Sequence, residues 1–157
     1  MKAELINPFI ESTLNVLSTM AQTNAAAAAP FVKSDKKTWG VVSGIIGMAG
    51  AALEGNLVIS FDEKCILDIV SKMLMEQFTE INSDVIDAVG EITNMITGGT
   101  KKLLSEKGFQ FEMAIPVMIK GTGIELTQLG STPVVCIPFT TEAGKFMIEA
   151  NLSPKKK

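Results

Sequence analysis

The sequence predicts an α+β fold, with amphipathic helices packed on a mostly antiparallel sheet. Three observations carry that expectation. Two long stretches, 3–22 and 82–106, repeat apolar residues at helical spacing. Segments rich in Val, Ile and Phe, punctuated by glycine and proline, follow each of them. The order is helix, strands, helix, then helix, strands, so strands come in runs rather than alternating singly with helices. The two halves form a loose internal pseudo-repeat, each opening on a helix that carries a Glu (Glu11, Glu91), although no identical run recurs. At 157 residues the whole chain, 1–157, suits one domain with one core.

The first helix, 3–22, rests on Ile6, Phe9, Ile10, Leu14, Leu17 and Met20. Pro8 is tolerated only in a first turn, which places the body of that helix after Asn7. The alanine run 25–29 before Pro30 reads as a connector. Strands are expected at 39–48 and 51–61. Asp62 then suits the cap of a second helix bearing Cys65, Ile66, Ile69, Val70, Met73 and Leu74 on one side. For the third helix Asn82 or Ser83 is the cap, Asp84 and Asp87 suit its positive end, and Gly108 its stop. Further strands are expected at 111–120, 123–129, 133–140 and 144–152. The lysines at 155–157 read as a frayed tail.

The missing residue types narrow the chemistry. There is no His and no Tyr, and all 14 basic residues are lysine. Catalysis by Ser-His-Asp or Cys-His, a Cys/His zinc site and an arginine clamp on phosphate are all beyond this chain. Carboxylates, lysines, amides, hydroxyls and two thiols remain. Cys65 and Cys136, far apart and without a motif, read as small buried hydrophobes in a reducing compartment. A net charge of −3 argues against nucleic acid as a partner. The polar N-terminus is unlike a signal peptide, and the apolar stretch 40–53 is too short and glycine-rich to cross a membrane. A cytoplasmic protein is expected. The glycines at 40, 44, 47, 50 and 55 match no phosphate-binding loop and suit close strand packing.

Winding the third helix at about 100° per residue gathers Val85, Val89, Ile92, Ile96 and Leu103 on a core face. Asp84, Asp87, Glu91, Asn94 and Gly98 then fall within about 80° on the opposite side. Glu91 and Asn94 are neighbours one turn apart. Periodicity alone is satisfied by an ordinary solvated face. Asn94 and the glycines at 90, 98 and 99 are poor helix formers, however, and make physical sense where a partner's backbone must come close.

The run DVIDAVGEITNMITGG, 84–99, resembles the signature helix of the CheC/CheX/FliY family of chemotaxis phosphatases, whose hallmark is an E-x-x-N pair followed by a small-residue turn. The opening NPFIESTLNVLSTMA is similar to that family's first helix, so the likeness extends over about 4–152. CheC members carry E-x-x-N on both pseudo-repeat helices. Here the first offers Glu11 followed by Leu14, which cannot replace an amide, and this points to the single-site CheX branch; a shifted site using Asn15 is the other possibility.

The resemblance implies a CheC/CheX-like fold and a phosphorylated CheY-like receiver domain as substrate. It implies Glu91 and Asn94 as the catalytic pair, with Asp87, Gly90 and Gly98 as partner contacts. It further implies that the chain binds no metal or other cofactor and that the receiver supplies Mg2+. A carboxamide can hold a water in line with phosphorus by positioning alone. A solvent-exposed carboxylate is a weak base at neutral pH, and in the family this Glu pairs with the receiver's lysine. The alternative is a non-catalytic interaction domain of the same fold, against which the presence of both Glu91 and Asn94 argues. A homodimer paired through sheets is also implied, and apolar strands in the C-terminal half need their edges covered. In a monomer Lys120 or Lys145 would guard such an edge.

Overall fold

Three helices form close to where the apolar spacing places them. In the computed structural model, which describes residues 3–127 and 133–154, they are α1 (Ala3–Ala21), α2 (Glu63–Leu74) and α3 (Ser83–Glu106). Asp62 caps α2, its Oδ1 accepting from the Cys65 N–H at 2.7 Å. Asn82 caps α3 in the same way, accepting from the Val85 N–H at 3.0 Å. Gly108, at φ +90°, turns the chain out of α3, where a side chain would be strained. The end of α2 carries no such signal: Met75 takes a left-handed cap at φ 55° without being glycine.

Pro8 corrects the expected start of α1. The helix is continuous from Ala3 and carries Pro8 inside it, buried against the core. Proline withholds the N–H that the Glu4 carbonyl would accept. That loss falls one turn from the helix start, beside an exposed residue.

The sheet is antiparallel at every described pairing. Its strands are β1 (Ala26–Ala27), β2 (Phe31–Val32), β3 (Val42–Ala49), β4 (Leu53–Phe61), β5 (Glu112–Met113), β6 (Val117–Lys120), β7 (Val135–Thr140) and β8 (Lys145–Pro154). They lie in the order β1-β7-β8-β4-β3-β5, with β2 also on β7 and β6 also on β3. The alanine connector therefore does more than connect: β1 and β2 close one edge of the sheet on β7. The segment expected as a strand at 123–129 makes only a bridge, Lys37 to Glu125, and its last two residues lie outside the described ones, as does the lysine tail 155–157.

Alternation sorts the sheet into two faces. Leu57, Ile59 and Phe61 of β4 and Phe146, Ile148, Ala150 and Leu152 of β8 join the helices in one apolar core. Val135, Ile137 and Phe139 of β7 complete that face, with Phe139 stacked on Phe146 at 4.7 Å. The other face carries Ser43, Ser60, Met147, Glu149 and Asn151, all buried. Among the described residues no helix is long and apolar enough to cross a membrane.

β7 and β8 lie inside the sheet, so Lys145 guards no edge. Of the apolar C-terminal strands only β5 and β6 form one. Lys120, at the end of β6, donates from Nζ to the Ile81 carbonyl at 2.9 Å and ties that edge to the start of α3.

Candidate functional site: the exposed face of the third helix

The position of α3 is set from below and from the side. Thr93 faces β3, where Gly44 has no side chain, and a Cβ at Gly44 would collide with the Thr93 hydroxyl. Thr93 satisfies itself by donating to the Val89 carbonyl at 2.7 Å, and Thr97 and Thr100 repeat this on Thr93 and Ile96 at 2.7 and 2.8 Å. These three buried hydroxyls cost little because each is paired within the helix. On the flank, Ser12 of α1 donates to the Ile96 carbonyl at 2.7 Å, and Gly99 leaves room for it. One helix is thus hydrogen-bonded to another through a buried contact.

The buried stripe of α3 is wider than the apolar spacing suggests. Val85, Val89, Ile92 and Ile96 are buried as expected, but Leu104 is fully buried whereas Leu103 is only half-buried, and Ala88, Gly90 and the three threonines join them. Asp84, Asp87 and Glu91 remain exposed, and Asn94 is half-buried. Glu91 and Asn94 are three residues apart in one regular helix, so their Cβ atoms lie about 5–6 Å apart. Asp84, Asp87 and Glu91 make an acidic stripe that favours a cationic partner group. Asn94 offers both an acceptor and donors beside it.

The glycines divide. A Cβ at Gly98 would meet nothing within 4 Å, so the surface beyond Asn94 is open. Gly90 is buried, and a Cβ there would stand 3.0 Å from the Met118 sulfur of β6. The expectation that Gly90 gives a partner close access gives way to internal packing: its missing side chain makes room for Met118. Ser12, Thr93 and Met118 support the site and were not singled out from the sequence. The T-x-x-x-T-x-x-T run at 93–100 is the one signal that could have found part of this set.

The thiols take no part. Both cysteines are free and buried. Burial pushes the Cys65 thiol up to about 12 and the Cys136 thiol up to about 11, too high for a nucleophile at neutral pH. Among the described residues no group of three or more Cys, Asp or Glu side chains is placed to hold a metal ion.

Comparison with known proteins places the chain in a family. A family profile described as "Chemotaxis phosphatase CheX" matches residues 42–140. A CheC-like superfamily protein from Shewanella sp. PV-4 is 42% identical with a TM-score of 0.90, over 98% of this chain and 99% of that one. CheX in a CheX–CheY–BeF3–Mg2+ complex from Borrelia burgdorferi is 28% identical with a TM-score of 0.78, over 99% of this chain and 100% of that one. A protein named CheY-P phosphatase CheX from Thermotoga maritima is 24% identical over 132 residues, 83% of this chain and 84% of the relative. Since the profile spans well over half of the chain and the Shewanella protein matches nearly all of it, the chain belongs to the CheX family of chemotaxis phosphatases.

Proposed function

We propose that this chain stimulates hydrolysis of the aspartyl-phosphate on a CheY-type receiver domain, with Asn94 holding the attacking water and Glu91 docking the receiver. One observation carries this assignment. Glu91 and Asn94 stand one turn apart on the uncovered face of a helix whose other sides are fixed by Thr93, Ser12 and Met118.

The chemistry suits what this chain has. Phosphoryl transfer passes through a loose transition state and needs positioning and charge stabilisation more than a strong base. The Asn94 amide oxygen accepts from a water and orients its lone pair toward phosphorus, while the NH2 group donates to a phosphoryl or receiver oxygen. Glu91 pairs with a lysine of the receiver and so sets the register in which Asn94 arrives. Asp87, one turn before Glu91, adds to the same attraction, and the open surface at Gly98 admits the receiver backbone. The Mg2+ is the receiver's. The relatives support this assignment through the phosphatase named for one and the CheY complex formed by another.

The test is direct. A phosphorylated CheY-type receiver is mixed with the protein and phosphate loss is followed. Loss accelerated severalfold or more by catalytic amounts of the protein, and abolished by chelating Mg2+ without unfolding it, is the expected result. An unchanged rate sinks the assignment.

A homodimer paired through a sheet edge belongs to the same proposal. Ile115 and Val117, beside and on the β5–β6 edge, are 88% and 60% exposed, more than an isolated edge tolerates well. Light scattering at micromolar concentration should give twice the chain mass of 16.8 kDa. A value near the single-chain mass rejects the dimer.

A further inference from the structure

A bulge interrupts the sheet rim beside α3. On β3, Met48 pairs with Met113, the Gly47 carbonyl accepts from the Ala114 N–H at 3.0 Å, and Ile45 pairs with Val117. One residue, Ile46, therefore stands opposite two, Ile115 and Pro116. A β-bulge of this kind leaves its extra residue unpaired and re-aims it. Pro116 has no N–H to offer a further strand, so the rim is closed to pairing at that point. Ile115 is 88% exposed, more than any other branched aliphatic side chain among the described residues.

The bulge lies level with Asn94. Gly90, Asn94 and Lys101 fall within about 40° of one another on α3, so they share the side of the helix turned to this rim. Gly90 lies under Met118, and Lys101 Nζ reaches Glu112 Oε2 at 3.0 Å. Helix and rim thus run in opposite directions. Asn94 is about 6 Å along the helix from Gly90. The same advance along an extended chain, at about 3.3 Å per residue, leads from Met118 to Pro116.

The other flank of α3 is closed by α1, through Ser12 and Gly99. Between residues 92 and 101 no residue of α3 is fully exposed, although a Cβ at Gly98 would meet nothing within 4 Å. Asn94 and Gly98 therefore lie in the floor of a trough, with α1 as one wall and the bulge as the other.

Resting on the phosphatase assignment above, we propose that Ile115 is the apolar part of the same docking surface and takes an apolar side chain of the receiver next to its phosphorylated aspartate. A receiver whose phosphoryl group reaches Asn94 must enter the trough past this wall, and Ile115 is the uncovered side chain there. Asp87 and Glu91 attract the receiver, but exposed charge pairs bind weakly on their own. Covering Ile115 adds affinity that salt does not screen. Val117 has a different place. Met118 faces α3, so alternation turns its neighbour Val117 to the opposite side of the sheet. Val117 stays available to an edge contact between copies, whereas Ile115 belongs to the receiver.

Steady-state dephosphorylation of a phosphorylated CheY-type receiver is the test. Ile115→Ser should raise the KM for the receiver about fivefold or more and leave kcat within about twofold. Its thermal midpoint should not move, because the side chain is already in water. Ile115→Leu should restore the original KM, and Val117→Ser should leave KM unchanged. No stimulation by the unmodified protein would sink the phosphatase assignment and the docking role with it. Full stimulation with an unchanged KM in Ile115→Ser overturns the docking role alone. A loss confined to kcat also overturns it, by placing Ile115 among the supports of Asn94. So does a change in the mass given by light scattering, which would place Ile115 at an interface between copies.

Discussion

α1 and α3 are the two long helices of the fold, packed on each other through Ser12, Ile96 and Gly99. Each offers a glutamate to solvent, Glu11 and Glu91. Three residues later they part. α3 presents the half-buried amide of Asn94, whereas α1 presents Leu14, which packs against the core. α1 gives α3 a hydrogen bond and a wall. A helix that braces its neighbour needs its small and polar residues at the contact, and a helix that meets a partner needs its polar residues free. On two helices of similar amphipathic character the position three residues after the glutamate thus differs both in its side chain and in what that side chain meets, the core for Leu14 and the outer face for Asn94.

The comparison breaks most easily at Asn94. Asn94→Ala should cut stimulated dephosphorylation by more than tenfold while thermal stability stays level or rises slightly, because alanine is the better helix former. Activity above a tenth of the unmodified protein's would remove Asn94 from the mechanism. Glu91→Ala should lower turnover and also weaken receiver binding, about tenfold by the loss of one charge-assisted contact. Asn94→Ala should leave binding near its original strength. If the two variants bind equally well in a direct binding measurement, the docking role of Glu91 fails.

The bracing side of the comparison is sharpened by neighbouring glycines. Gly99→Ala would drive a methyl into the Ser12 hydroxyl, which is held by Ile96, and should destabilise the protein by about 1–3 kcal/mol in denaturant unfolding. Leu14→Asn writes E-x-x-N onto α1. It should create no second site, since that position packs against the core, and should cost about 1–2 kcal/mol of lost apolar burial. A gain of phosphatase activity there would mean that spacing alone makes the site. The smallest effect is expected at Gly98→Ala, where the space is open and the helix should gain about 1 kcal/mol. Any loss it causes should therefore appear in receiver binding rather than in stability.

Much of this is legible in the chain. Local chemistry writes its own signals, so the caps Asp62 and Asn82, the stop at Gly108 and the strand alternation in β4, β7 and β8 can be read directly. The family motif can be read for the same reason, because its residues lie within one helix and spacing fixes their relative position. The absence of His and Arg by itself excludes whole classes of chemistry.

Tertiary structure decides the rest, because it depends on what meets across the fold. A sequence window shows that Gly90, Gly98 and Gly99 are small, but not that one lies under Met118, one faces open space and one makes room for Ser12. Glu149 alternates correctly for a solvent-facing strand position, yet it is buried, with the Lys33 ammonium 2.7 Å away from a distant part of the chain. Sheet order likewise decides which strand is an edge: β7 reads like β6, yet β1 and β2 cover it, while β6 is left at the rim beside α3. Periodicity is a property of one element, whereas burial and edge exposure belong to pairs of elements far apart in the chain, and the sequence carries no local mark of those pairings.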